Sequence, residues 1–209
     1  KVSKAVAKVQ AERSLHAGRG GSVVEPAGNF GIDLDRMSGV DPLTGLPNRR
    51  AAEDRFRTET SRALRYDRPL CIAKCSVDDL DLVVGRFGRD VADGVLRGIV
   101  QVFQAMVRDV DFIARFDGGE FFLLFPETAK DSGFVVVDRI RQKLLSTAFT
   151  DEVGPEGQFR LTASFGVAGL PTDTMNAEIL REAADAALHR ARATGGDQVV
   201  LYDADMSRR

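Results

Sequence analysis

The stretch Arg115-Phe116-Asp117-Gly118-Gly119-Glu120-Phe121-Phe122-Leu123-Leu124-Phe125 decides the fold. Phe112, Ile113 and Phe116 precede a polar turn, and Phe121 to Phe125 follow it. Two glycines flanked by two acids, between apolar runs, predict a β-hairpin. Glycine lets a phosphate approach the backbone closely, and carboxylates at such a turn can hold a divalent cation. The same residues also fit a surface hairpin whose acids are solvated. The rest of the chain decides between these readings.

Outward from the hairpin, the turn-rich run Asp41-Pro42-Leu43-Thr44-Gly45-Leu46-Pro47-Asn48-Arg49-Arg50 leads into a predicted helix over 50–67. A buried strand is expected over 70–77, a short helix or turn over 79–87, and a helix over 90–107. After the hairpin, Phe134, Val137, Ile140 and Leu144 share one face of a helix over 131–147. Alternation of Leu161, Ala163 and Phe165 predicts a strand over 159–168, followed by a helix over 177–193 and a closing strand over 198–202. This order predicts an α/β domain whose mixed sheet contains one antiparallel hairpin. The domain is expected to occupy 38–209. The preceding 1–37 reads as a short amphipathic helix, with Val2, Ala5, Val6 and Val9 on one side, then a Gly-rich linker.

At 209 residues with 44% hydrophobic and 29% charged residues, the chain can bury an ordinary core. A net charge of -2 argues against a general nucleic-acid or membrane-surface binder. No apolar run is long enough to span a bilayer and no secretory signal is visible, so no membrane contact is expected within this stretch. The first residue is Lys1, and the expectation is a cytoplasmic fragment of a longer chain whose upstream part is sensory or membrane-bound. Cys71 and Cys75 lie at i and i+4 of the strand over 70–77, on one face but beyond disulfide reach, and read as buried thiols in a reducing compartment. His16 and His189 have no companion cysteines, so a zinc site has little support.

Several blocks in order resemble the GGDEF domain, the diguanylate cyclase family. They are Asp41-x-Leu43-Thr44-Gly45-Leu46-x-Asn48-Arg49-Arg50, Ala114-Arg115-Phe116 with Glu120-Phe121, Leu123-Leu124-Phe125-Pro126, Thr162-Ala163-Ser164-Phe165-Gly166-Val167-Ala168, and Ala184-Asp185-x-Ala187-Leu188. The resemblance runs from Asp41 to Tyr202. It implies a five-stranded sheet with surrounding helices, related to nucleotide cyclase and polymerase palm folds. It also implies condensation of two GTP molecules into cyclic di-GMP by attack of a 3'-hydroxyl on an α-phosphorus, with divalent metals holding the triphosphate.

In register, the chain departs from that pattern at the chemistry. The family motif Gly-Gly-[Asp/Glu]-Glu-Phe falls on Asp117-Gly118-Gly119-Glu120-Phe121, so the first glycine is Asp117 and the metal-binding acid is Gly119. The other metal-binding Asp falls on Ser76, and the family Lys of the same run on Asp81. The guanine-recognising Asn falls on Val84, while a second guanine contact survives as Asp93. Of a Lys and an Arg that hold the terminal phosphates, the first is Arg192 and the second is Gly196. With both metal carboxylates and the guanine Asn missing, no catalytic site is expected to be intact and no metal to be required. Magnesium enters only if residual cyclase activity exists, for which Asp78 and Asp117 could rebuild a site in shifted geometry.

Nine residues before Asp117 begins Arg108-Asp109-Val110-Asp111, where the family carries its Arg-x-x-Asp inhibitory site for cyclic di-GMP. Arg can donate parallel bonds to guanine O6 and N7 or to phosphate, and Asp can accept from guanine N1 and N2. Arg139, beside Arg141, matches a further arginine of that site; a solvated helix face is the alternative for it. The expectation is a catalytically inactive domain that binds cyclic di-GMP through Arg108, Asp111 and Arg139, with Asp93 and Arg192 as remnants of the nucleotide site. A ligand-bridged homodimer and an unidentified protein partner are expected with it. The alternatives are a diguanylate cyclase of low activity, a GTP-binding regulatory domain and a nucleotide-independent interaction module.

Overall fold

The computed structural model describes residues 39–149 and 160–208. The helix and linker expected over 1–37, and the start of the strand expected at 159, lie outside the described residues. The elements run α1 (Arg49–Tyr66), β1 (Leu70–Val77), α2 (Leu80–Phe87), α3 (Arg89–Met106), β2 (Phe112–Asp117), β3 (Glu120–Pro126), α4 (Lys130–Ser146), β4 (Ala163–Leu170), α5 (Ala177–Ala193) and β5 (Val199–Leu201), with a closing 3-10 turn (Ala204–Arg208).

Local chemistry sets the helix ends. Asn48 precedes α1 and its side chain accepts from Ala51 N at 3.1 Å; Asp67 ends the helix in the left-handed region at φ 51°. Asn176 caps α5 by accepting from Glu178 N and Ile179 N.

The strands form one five-stranded sheet in the order β2-β3-β1-β4-β5. β1 pairs antiparallel with β3 and with β4, while β4 and β5 are parallel, which makes the sheet mixed. The faces of β1 divide the core. Cys71, Ala73, Cys75 and Val77 pack with Ile99 and Phe103 of α3 and with Val137 and Ile140 of α4. Leu70 and Ile72 pack with Phe56 of α1 and with Leu180, Ala184 and Ala187 of α5. Phe103 meets Phe121 edge-on, with ring centroids 5.1 Å apart.

Because helices cover both faces, β4 is buried along its whole length. The strand expected over 159–168 is found later in the chain. β4 runs instead from Ala163 opposite Val77 to Leu170 opposite Leu70, matching the span of β1. Its Gly166 has no room for a side chain: a Cβ there would lie 2.1 Å from Leu188 N and 2.3 Å from Ala184 O, so α5 rests directly on the strand backbone. Both cysteines are free and buried. Burial pushes both thiols up, reinforced by Asp173 at Cys71 and by Asp78 and Glu120 at Cys75, which keeps them protonated and unreactive. Among the described residues no helix is long and apolar enough to cross a membrane.

Candidate functional site

The hairpin is held by its own arginine. β2 and β3 pair from Phe112↔Leu124 to Asp117↔Glu120, with a register irregularity between Arg115 and Asp117. Gly118 takes φ 49°, the left-handed conformation a tight turn needs. Arg115 donates from Nε and Nη2 to Gly118 O at 3.0 and 2.8 Å, and from Nη1 to both carboxylate oxygens of Asp41 at 3.0 and 3.2 Å. Burial alone would raise the Asp41 carboxyl, but hydrogen bonds from Thr44 and Arg115 outweigh it and hold it below its ordinary value.

Beside the hairpin opens a cleft of about 780 Å³. Ser76, Asp117, Gly118, Gly119, Glu120 and Arg192 all line it. Ser76 is buried and lies opposite Glu120 on β3. A Cβ on Gly119 would lie 2.9 Å from Leu80 Cδ2 and 3.0 Å from Val77 Cβ, so apolar atoms fill the space where the family pattern places an acid. Asp78 has given its oxygens to the protein: Thr162 Oγ1 and Asp197 N donate to Oδ2 at 2.7 and 3.0 Å, and Ser164 Oγ donates to Oδ1 at 2.7 Å. Val84 instead packs against the core, and neither it nor Asp93 lines this cleft.

A second cleft, of about 380 Å³, lies between the end of α3, the start of β2 and α4. Arg108, Asp111 and Arg139 all line it, with Met106, Thr128 and Val136 among the other walls. The Asp111 carboxylate accepts from Arg108 N at 2.8 Å, from Nε at 3.3 Å and from Nη2 at 3.0 Å. Its side chain is only 1% exposed, so as folded it holds Arg108 rather than offering open acceptors to a base. Arg139 is exposed and carries no ion pair among the described residues. Its neighbour Arg141 turns away to Asp138 and Asp197, each at 2.9 Å.

Residues 38–198 match the family model described as diguanylate cyclase, GGDEF domain. The chain belongs to the GGDEF family. Diguanylate cyclase DgcP of Pseudomonas aeruginosa is 34% identical over 160 residues, covering 77% of this chain and 23% of that protein. The response regulator PleD of Caulobacter vibrioides is 31% identical over 161 residues, covering 77% of this chain and 35% of that protein. This chain therefore spans well under half the length of either relative. The solved GGDEF domain of DgcB from Caulobacter crescentus, in complex with c-di-GMP, has a TM-score of 0.73 at 26% identity and covers 78% of this chain and 95% of that one.

Some residues of this GGDEF domain's clefts had no signal in the sequence reading. Thr128 touches Arg108 from 20 positions away, and Thr162 and Ser164, quoted above only as part of a family block, reach Asp78 from beside it, on and just before the neighbouring strand β4. Lys74 interrupts the apolar run of β1; it pairs with Asp185 of α5 at 2.9 Å and lies 4.8 Å from the Phe116 ring centre. A charge inside an otherwise apolar strand was the available sign of that pair.

Proposed function

We propose that this GGDEF domain is a cyclic di-GMP receptor that does not turn over GTP. The observation that carries the reading is the pairing of the two clefts. The fold gathers Arg108, Asp111 and Arg139 round one of them. The other has a neutral hydroxyl at Ser76 and no side chain at Gly119.

The hairpin cleft is a poor fit for magnesium. That ion takes a near-octahedral set of hard oxygens, and here Asp78 is committed to three protein donors. Asp117 and Glu120 remain as exposed acids at the turn, where they repel a triphosphate once no metal offsets their charge. Arg192 is the surviving cation of the terminal-phosphate pair; Gly196 has no side chain, and a Cβ there would come within 3.2 Å of the Asp78 carboxylate.

The second cleft suits a guanine dinucleotide. Arg108 and Arg139 supply guanidinium donors for phosphate or a guanine edge, and Met106 and Val136 supply apolar walls for a base. The c-di-GMP complex of the related DgcB domain supports this choice of ligand. A ligand pair bridging two copies is part of the proposal. The second reading is a cyclase of low activity; the name of the relative, diguanylate cyclase DgcP, favours cyclase chemistry.

Incubation of the purified domain with GTP and magnesium or manganese separates the two readings. No cyclic di-GMP is expected by chromatography, and robust accumulation would overturn the assignment. In calorimetry, Arg108→Ala is expected to abolish cyclic di-GMP binding, and unchanged affinity would refute the assigned cleft.

A further inference from the structure

The Arg108 guanidinium carries five N–H groups. Three of them have acceptors in the protein: Nε on Asp111 Oδ2 at 3.3 Å, one Nη2 hydrogen on Asp111 Oδ1 at 3.0 Å, and the other on Thr128 Oγ1 at 2.9 Å. The two hydrogens of Nη1 have none among the described residues.

Thr128 is well placed to hold this arrangement. Its residue is 6% exposed, and its hydroxyl donates to Pro126 O at 2.9 Å while accepting from Arg108. Its proton and its lone pair therefore both have fixed directions. Pro126 ends β3 and pairs with Leu70 at the start of β1, so the hydroxyl is tied to the middle of the sheet. A chain of bonds thus runs from the sheet to the tip of an arginine whose side chain is 59% exposed. Arginines of that exposure ordinarily sample many rotamers, and fixing one on binding costs affinity.

We propose that Thr128 is a positioning residue of the cyclic di-GMP site. It turns the Arg108 guanidinium so that Nη1 is the nitrogen offered to the ligand, and it withholds the Nη2 hydrogen that an end-on, two-nitrogen contact would use. Asp111 shares the task from the opposite edge. Arg108 then meets its ligand through one nitrogen with two diverging hydrogens, which suits two separate acceptor oxygens better than one flat base edge. This inference rests on the assignment of the cleft to cyclic di-GMP.

The test is calorimetric titration of cyclic di-GMP into the unaltered protein, Thr128→Val and Thr128→Ser, with melting of each ligand-free protein alongside. Valine keeps the shape and loses the hydroxyl; serine keeps the hydroxyl. Thr128→Val is expected to bind roughly tenfold to hundredfold more weakly, the effect of one hydrogen bond to a charged group. Thr128→Ser is expected to bind within about twofold of the unaltered protein. A valine variant that binds as tightly as the unaltered protein overturns the inference and leaves the cleft's assignment standing. A serine variant as weak as the valine one also overturns it, because the hydroxyl would then not be what matters. An unaltered protein that does not bind at all overturns the assignment itself, and the inference with it.

Discussion

Gly119→Asp restores the acid of the family motif, yet it is expected to damage this protein. The Cβ alone would sit 2.9 Å from Leu80 Cδ2 and 3.0 Å from Val77 Cβ. Leu80 can swing aside, but Val77 is buried at the end of β1 and its Cβ is fixed by the strand. The new carboxylate would also share the cleft with Asp117 and Glu120, whose charges oppose it. Inserting atoms into filled space typically costs about 1–3 kcal/mol. For a domain of this size each kcal/mol lowers the melting temperature by about 2–4 °C. Thermal melting of Gly119→Asp should therefore show a clear loss, and GTP turnover should stay absent even with Ser76→Asp added, because Val84 still offers nothing to guanine. A Gly119→Asp protein that melts at or above the unaltered protein's temperature would refute the packing argument. Turnover by the double variant would refute the view that the cleft has lost more than its two metal ligands.

Gly166→Ala places a Cβ against backbone atoms of Leu188 and Ala184 that cannot move aside, and should cost at least about 3 kcal/mol in denaturant unfolding. Asp78→Ala strands the Thr162 and Ser164 hydroxyls and the Asp197 N–H, an expected loss of roughly 2–4 kcal/mol; near-neutral melting would show that the network holds nothing. Asp41 has a lowered folded pKa, so its contribution is present above the ordinary aspartate value of about 4 and is lost as pH falls through the lower folded value. Asp41→Asn should therefore melt lower than the unaltered protein at neutral pH, and the gap should close in acid. A gap that stays constant down to acid would contradict the Arg115–Asp41 clamp.

Much of the architecture was legible because local and global signals agreed. The helix over 177–193 is found with those same bounds, since Asn176 caps it and its apolar period faces β4. The hairpin was announced by Gly118, whose positive φ the turn requires. The strand over 159–168 was set too early because Leu161 continues the alternation of Ala163 and Phe165 ahead of β4, whereas the ladder with β1 begins only at Ala163. Register placed Arg108, Asp111 and Arg139, and the fold brings them to one cleft. What register could not tell is who bonds to whom. Asp111 is spent on Arg108, and Thr128 reaches the same guanidinium from the far end of β3. Val84 and Asp93 were placed by register at a nucleotide site, but neither lines the cleft, since a helix turn decides whether such a residue faces core or opening.

A domain in which ligand binding has outlived catalysis should recognise cyclic di-GMP and ignore GTP. Isothermal titration of the domain with cyclic di-GMP, beside an identical titration with GTP and magnesium, tests it most directly. Saturable binding of cyclic di-GMP is expected, with no heat beyond dilution from GTP. Tight GTP binding with no response to cyclic di-GMP would contradict it.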